Sequence, residues 1–355
     1  MDEEARMSKL HDDILRQPGE LLSCLDYTLG PGRQELERAA VAINAAPAVY
    51  ITGMGSSEDA GMAMVSLFDR QRHKVHVVDT SELLHAGSWP AGSVFVILSR
   101  SGKSGEVVEL VERAARDGSM VIAVTNTPES PLGLGAAVTL ELKSSFDHNV
   151  SVTMYSALTL VGGLLAEVCD GEIELGRRGD DLRRSLEAAG NCIPGWQELI
   201  AGHPWLGKAP APTYMLGRGG SLSSCHEAEL LWEEAAKAPA TAMSTGKFRH
   251  GPQEVIRQET RLGLWLDAPH RKADLQLVVE ARRYGAQVML IGQDLPAGSA
   301  DLAFSLPPIE PAWQFLIDIM PAQLAAEYLA GLRGEDCDDF RICSYIVESE
   351  GGLSG

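Results

Sequence analysis

Positive charge is scarce in this chain. Against 49 Asp and Glu stand only 30 Lys and Arg, a formal net charge of −19 over 355 residues. Nucleic acid rewards clustered Lys and Arg, so this balance argues against it as a partner. It equally argues against docking on an anionic membrane. Any phosphate ligand must be held by local donors, because long-range attraction is absent. Metal-ligand spacing is missing too. The six cysteines (Cys24, Cys169, Cys192, Cys225, Cys337, Cys343) form no Cys-x-x-Cys, and no His lies beside Cys337 and Cys343 to complete a zinc site. They read as buried or neutral thiols, and neither metal nor cofactor is expected. The start, Met1-Asp2-Glu3-Glu4, lacks the basic and apolar regions of a signal peptide. The most apolar helix-like stretch, 150–168, carries Ser151, Thr153, Tyr155, Ser156 and Thr159, and reads as a buried helix rather than a membrane span. The expected compartment is the cytoplasm.

What the chain does have is a device used twice. Val49-Tyr50-Ile51-Thr52-Gly53-Met54-Gly55-Ser56-Ser57 and Thr213-Tyr214-Met215-Leu216-Gly217-Arg218-Gly219-Gly220-Ser221 are both apolar runs ending in Gly-x-Gly and small hydroxyl residues. They sit roughly 165 residues apart, the spacing of two successive medium-sized domains. A buried strand feeding a glycine turn and a helix start is a place for phosphate, since free backbone N–H groups and the helix dipole point the same way.

The rest of the chain follows an α/β rhythm. Residues 5–45 read as helical. Val49–Thr52, Val75–Val78, Val94–Leu98 and Val121–Thr125 read as strands, with helices at Asp59–Phe68 and Glu106–Ala115 between them. The cycle restarts after a charged helical segment, Asp180–Ala188. Tyr214–Leu216, Leu262–Leu266 and Val288–Ile291 are the new strands, and a helix over Cys225–Ala236 follows the second turn. Such alternation implies parallel sheets covered on both faces. The expected fold is therefore α/β, two tandem doubly wound domains, at 1–190 and 191–355. No low-complexity linker separates them, so tight packing between them is expected. The tail Gly351-Gly352-Leu353-Ser354-Gly355 is expected to be mobile.

Two constellations can carry chemistry. Leu98-Ser99-Arg100-Ser101-Gly102-Lys103-Ser104-Gly105-Glu106 follows a Val-Phe-Val-Ile-Leu strand and opens a helix. Ser99, Ser101 and Ser104 offer hydroxyls around a glycine, and Arg100 and Lys103 bring positive charge into an acidic protein. Serine also favours N-caps without any ligand. A second such turn, Gly55-Ser56-Ser57, on a neighbouring strand end tips the balance toward a phosphate crevice. The other constellation is Glu233-Glu234 with Lys247-Phe248-Arg249-His250-Gly251-Pro252. A carboxylate and an imidazole are the pair an enediol isomerisation needs, one moving a proton between carbons and the other moving protons on oxygen. Pro252 suits a helix start, leaving His250 in a turn. A lone His is more often a surface residue. One of the two glutamates must face solvent, because helix neighbours point about 100° apart.

The glycine turn, the Leu-Ser-Arg-Ser-Gly-Lys-Ser-Gly-Glu loop, the Phe-Arg-His-Gly-Pro segment and the opening Asp13-Ile14-Leu15-Arg16-Gln17-Pro18 together resemble the sugar isomerase (SIS) domain family. The likeness runs over nearly the whole chain and is nearest to proteins with two such domains in tandem: the isomerase half of glucosamine-6-phosphate synthase, and fructosamine-6-phosphate deglycases. The resemblance implies that Gly55, Ser56 and Ser57 form the first phosphosugar-binding turn, and that Ser99, Arg100, Ser101 and Ser104 cradle the phosphate, with Gln in the synthases where Arg100 stands. Val150 and Thr153 match a sugar-lining segment that reads Val-Ala-Ser-Thr in the synthases. Glu234 matches the base, and His250 the ring-opening histidine, supplied in that family by the neighbouring subunit. A homodimer with a shared active site is implied, with a phosphorylated sugar or amino sugar as ligand.

Two departures narrow the chemistry. The synthases carry a Lys three residues before the base, where Leu231 stands, and a Schiff-base Lys near the C-terminus, where Tyr345 aligns. No glutaminase domain with an N-terminal Cys is seen, so glutaminase activity is not expected. The expectation is a phosphosugar isomerase-type enzyme acting through an enediol. The alternatives are a fructosamine-6-phosphate deglycase or amino-sugar-phosphate deaminase, and a non-catalytic phosphosugar sensor. Sensors of this family commonly carry a DNA-binding helix-turn-helix domain, and no such domain or basic patch is seen here.

Overall fold

A computed structural model describes residues 8–69, 71–171 and 174–349. The opening Met1–Glu4 and the tail Gly351–Gly355 lie outside the described residues. Five parallel strands form one sheet: β1 (Val49–Thr52), β2 (Val75–Val77), β3 (Val94–Leu98), β4 (Met120–Thr125) and β5 (Val138–Glu141), in the order β2-β1-β3-β4-β5. Five more form a second: β6 (Thr213–Gly217), β7 (Thr241–Ser244), β8 (Arg261–Trp265), β9 (Gln287–Gly292) and β10 (Leu302–Ser305), in the order β7-β6-β8-β9-β10. Both have the 2-1-3-4-5 order of doubly wound, flavodoxin-like sheets. The central β3 is buried along its whole length, which is why it reads as an unbroken apolar run rather than an alternation.

The helices are α1 (Lys9–Leu29), α2 (Arg33–Ala45), α3 (Ser56–Leu67), α4 (Thr80–Ala86), α5 (Gly105–Asp117), α6 (Pro131–Gly135), α7 (Thr153–Asp170), α8 (Leu175–Ile200), α9 (Ser221–Glu234), α10 (Thr245–Arg249), α11 (Arg271–Arg283), α12 (Phe315–Asp318) and α13 (Met320–Arg333). The opening helical stretch is two helices rather than one. Gly30-Pro31-Gly32 turns the chain between them, with the Gly32 N–H donating to the Tyr27 carbonyl at 2.8 Å. Proline there can neither continue the α1 ladder nor let its predecessor stay helical.

The chain divides into two compact units. Among the described residues, one holds β1–β5 and draws on 19–146, 153–183 and 340–349. The other holds β6–β10 and draws on 8–18, 147–152 and 184–339. In the first, Phe95, Ile97, Leu110, Val121 and Leu132 form a core between sheet and α5. α7 is buried on nearly every face. It lies close along α3, where a Cβ on Gly162 would stand 3.2 Å from Met64. In the second, Leu216, Phe248, Leu264, Leu277 and Leu290 pack together under α11. The Phe315–Arg333 stretch is long and apolar enough to cross a bilayer, but 78% of its apolar window is buried inside the protein, the behaviour of a core helix.

Candidate active site

A strand order of 2-1-3-4-5 leaves a crevice where chain direction changes sides, outside the carboxyl ends of the first and third strands. In the β1–β5 unit those strands are β1 and β3, paired with Val49 opposite Val94 and Thr52 opposite Ile97. The turn after β1 and the loop after β3 therefore leave the sheet side by side, and Gly55, Ser56, Ser57, Ser99, Arg100, Ser101 and Ser104 share one edge.

Each turn is built so that backbone, not side chain, fills it. A Cβ on Gly53 would lie 2.8 Å from the Ser57 backbone, so the chain can double back onto α3 only with glycine there. In the second loop Gly102 has φ +62°, and its Cβ would stand 2.0 Å from the Ser130 hydroxyl, a place for glycine alone. The hydroxyl of Ser99 accepts the Gly102 N–H at 3.0 Å and that of Ser101 accepts the Lys103 N–H at 3.3 Å. Thr127 donates to the Ser101 carbonyl at 2.7 Å, and the Leu132 N–H to the Gly102 carbonyl at 3.2 Å. Ser99 and Ser101 are buried. Ser104 is the N-cap of α5, yet its hydroxyl makes no capping bond. A 13-residue helix thus starts at this loop with an N-cap hydroxyl not spent on its own helix.

The corresponding turn of the β6–β10 unit differs. β6 and β8 pair with Thr213 opposite Arg261, and the glycine turn again opens a helix. Here the hydroxyls are spent inside the protein. Ser221 and Ser224 donate to the two carboxylate oxygens of Asp318, at 2.6 and 2.5 Å, and Gln314 Nε2 lies 3.4 Å from the same carboxylate. Arg218 pairs with Asp274 at 3.1 Å. Burial pushes the Asp318 carboxyl up to about 7, against the pull of its three donors. A carboxylate of the chain itself accepts the hydroxyls of this turn, so the duplicated sequence device does not give two equivalent turns.

Val150 and Thr153 flank the start of α7. Thr153 is fully buried as its first residue, and Val150 is buried in the preceding segment. The polar residues of the opening Asp13-Ile14-Leu15-Arg16-Gln17-Pro18 run hold that segment. Asp13 accepts the His148 N–H at 2.8 Å and meets His148 Nδ1 at 2.8 Å, and Arg16 reaches Asp13 at 2.7 Å and Asp147 at 3.7 Å. Gln17 donates to the Val152 carbonyl at 3.2 Å, and the Val152 N–H donates to Asp147 at 3.0 Å.

Glu234 is the last residue of α9. Cationic side chains close the turn that follows. Lys237, at φ +49°, donates to the Glu234 carbonyl and, at 3.0 Å, to that of Asp339. Arg333 donates to the Ala236 carbonyl at 2.9 Å. Cations there satisfy the unpaired carbonyls and the helix dipole. The Glu234 side chain is half-buried and that of Glu233 is exposed, as neighbours about 100° apart require. Partial desolvation on the helix surface, then the nearby Glu229, raise the Glu233 carboxyl above its ordinary value. Leu231, where the synthases have Lys, is buried.

His250 is the C-cap of α10, exposed in the turn before Gly251, and Pro252 opens the short 3-10 helix Pro252–Val255. Ser244 caps α10 by accepting the Lys247 N–H at 3.2 Å, and buried Phe248 anchors it against Tyr214, ring centroids 5.4 Å apart. Topology separates Glu234 from the His250 of the same chain. α9 must return from the carboxyl end of β6 to the start of β7, because Tyr214 pairs with Thr241 in parallel. Its 14 residues span about 20 Å, which leaves Glu234 at the amino edge of the sheet. His250 follows β7 at the carboxyl edge.

Among the described residues, no group of three or more His, Cys, Asp or Glu is placed to hold a metal ion. All six cysteines are free thiols. Burial pushes Cys24 up to about 12 and raises Cys169 and Cys225 as well.

The architecture is the α/β doubly wound SIS fold, and residues 42–166 match the family model described as SIS domain. The chain is homologous to the isomerase half of glutamine–fructose-6-phosphate aminotransferase. The isomerizing enzyme of that name from Pyrobaculum aerophilum is 26% identical over 356 residues, covering 95% of this chain and 57% of that one. The chain spans about half the length of the curated relatives it matches. Two solved structures share the fold. The C-terminal domain of glucosamine-fructose-6-phosphate aminotransferase from Francisella tularensis has a TM-score of 0.81 at 17% identity, covering 95% of this chain and 99% of that one. Glucosamine-6-phosphate deaminase from Thermotoga maritima has a TM-score of 0.80 at 18% identity, covering 96% and 99%. The SIS match takes in β1–β5 and ends within α7, so it shows a single SIS domain.

Proposed function

We propose that this chain is a phosphosugar isomerase-type enzyme. It seats the phosphate of a ketose, aldose or amino-sugar phosphate on the Ser99–Ser104 loop, with Gly55, Ser56 and Ser57 completing the crevice and Val150 and Thr153 lining the sugar. The observation that carries this reading is the juxtaposition of two glycine- and hydroxyl-rich turns at the β1–β3 switch point, one of them with an N-cap serine that makes no capping bond. In a chain of net charge −19, such local donors are what can hold a dianion.

Glu234 is assigned as the base that takes a proton from one sugar carbon and returns it to the neighbour. His250 moves protons on oxygen. The separation of these two residues within one chain supports a homodimer in which His250 comes from the partner copy. Leu231 and Tyr345, standing where the synthases have lysines, set the reaction apart from Schiff-base chemistry and leave isomerisation, deamination or deglycation. The β6–β10 unit, with the same strand order, reads as a second, diverged SIS domain. The expected compartment is the cytoplasm.

A panel of sugar and amino-sugar phosphates incubated with the protein in deuterated water tests this. Deuterium arriving at C1 or C2 reports the enediol step, and released ammonia separates deamination from isomerisation. Tight binding of a phosphosugar with no exchange on any of them would instead make the protein a sensor.

A further inference from the structure

At the amino edge of the β6–β10 sheet stands a guanidinium that no carboxylate neutralises. Arg261 is the first residue of β8, paired with Thr213 of β6. Its side chain is half-buried, and Nη1 donates to the Gly207 carbonyl at 3.3 Å. Glycine makes that approach possible, since a Cβ on residue 207 would run into Arg261 Nη2. Nε and Nη2 have no acceptor among the described residues, and no Asp or Glu forms an ion pair with this side chain. Burial pulls the guanidinium below its ordinary value, the mark of a cation taken partly out of water without a counter-charge.

Arg261 closes the end of a cavity. The recess around it, about 20 Å³, is walled by Gly207, Trp232, Leu329 and Arg333. Pro210, Ala211, Thr213 and Pro239 line both this recess and a wider groove of about 320 Å³, to which Pro212, Tyr214 and Ala240 also belong. No Asp or Glu stands in either wall, although the chain carries 49 of them. Arg333 is already employed. Its Nε and Nη2 donate to the carbonyls of Ala236 and Lys237, at 2.9 and 3.3 Å. One open guanidinium edge therefore remains, at the head of an apolar groove.

We propose that this cavity binds a monocarboxylate with an apolar body, the carboxylate on Arg261 and the body along the prolines and Tyr214. The Nε–Nη2 edge offers two parallel donors that match the two oxygens of a carboxylate. A single open guanidinium balances one negative charge, and the small recess suits a planar head better than a tetrahedral dianion. The groove has the size and the largely apolar lining of a small-molecule site. None of these residues belongs to the phosphate loop, so the site stands whether or not that loop holds a sugar phosphate. Ala238 and Pro239 lie in the connection from α9 to β7, so a ligand seated here braces the turn that follows Glu234.

Calorimetric titration of the full chain with phenylacetate, its neutral amide phenylacetamide and inorganic phosphate tests the site, a phenyl ring being suited to a wall of proline and tyrosine rings. The wild type should bind phenylacetate about tenfold or more tighter than phenylacetamide, the worth of a charge-assisted hydrogen bond. Arg261→Met keeps an unbranched apolar stem and removes the charge. It should weaken phenylacetate by about the same factor and leave phenylacetamide unchanged. Bound phenylacetate should also slow amide hydrogen exchange over 235–241. Equal affinity of the wild type for acid and amide would overturn the site, because Arg261 would then not be reading charge. So would phosphate bound as tightly as phenylacetate and lost in Arg261→Met, which would make Arg261 a seat for bare anions. Folded wild type that binds no phenylacetate at millimolar concentration would overturn it too. Should Arg261→Met fail to fold, Gly207→Ala, which crowds Arg261 out of its seat, and the acid–amide comparison in the wild type decide.

Discussion

The hydroxyl of Ser221 donates to Oδ2 of Asp318 at 2.6 Å, joining a glycine turn to a residue 97 positions further along the chain. Asp318 is wholly buried at the junction of α12 and α13, and the donors around it come from α9 and from Gln314. Without a ligand the hydroxyls of a buried turn must find acceptors of their own. This one found a carboxylate.

That carboxylate should leave a mark on stability. Burial raises its folded-state pKa to about 7, above the unfolded value of about 3.9. Between those values the folded state keeps a proton that the unfolded state has lost, so the contribution of Asp318 is full at low pH and falls as pH rises toward 7. The slope approaches about 1.4 kcal/mol per pH unit. Urea melts at pH 4.5, 5.5 and 6.5 should show the wild type losing stability relative to Asp318→Asn across this window. Parallel curves for the two proteins would show that Asp318 ionises normally.

Ser104 offers the cleanest test of the phosphate loop. Loss of a working N-cap costs about 1 kcal/mol, but this serine makes no capping bond, so Ser104→Ala should melt like the wild type. Its affinity for the sugar phosphate should fall by about 1–3 kcal/mol, the worth of a hydrogen bond to a charged group. Ser101→Ala should lose a similar amount, with some loss of stability because its hydroxyl also braces the Lys103 N–H. Unchanged affinity for both by calorimetry would place the phosphate elsewhere.

The features visible in the sequence were those made of neighbours. Val94–Leu98 and Leu262–Leu266 are buried on both faces and read as apolar runs, and the glycine turns announce themselves in three residues. The edge strands β5, β7 and β10 did not. Each has four residues and half-exposed positions, too short and too mixed for periodicity to separate from loop. Long-range polar pairings were equally hidden. Nothing local in Asp318 foretells Ser221, and nothing in Tyr345 foretells Arg100, whose Nη2 donates to the Tyr345 carbonyl at 3.0 Å, since both pairings depend on where the chain returns. Asp13, Arg16 and Gln17 carry no local signal beyond a resemblance; the structure supplies their task, which is to hold the segment before α7.

Glu234 and its neighbour should separate cleanly in kinetics. Glu234→Gln keeps the shape of the α9 terminus and should lower turnover by roughly 100-fold or more, the share usual for a general base, while phosphate affinity stays near that of the wild type. Glu233→Gln should change turnover little, because that side chain is exposed on a different face of α9. Full solvent deuterium exchange by Glu234→Gln on the true substrate would show that another group moves the proton.

The separation of Glu234 and His250 by the height of one sheet makes a quantitative prediction about assembly. If a working site takes Glu234 from one copy and His250 from its partner, neither Glu234→Gln nor His250→Ala is active alone. Mixed after reversible dissociation, they form hybrids in which one site has lost both groups and the other retains both. At equal amounts about half of the dimers are hybrids with one site intact, so activity should recover to about one quarter of the wild-type level, by the statistics of a two-fold pair. Light scattering on the wild type should show a dimer at micromolar concentration under the same conditions. Were the two residues to serve one site within a single chain, no hybrid could regain activity, and the mixture would stay as inactive as its parts.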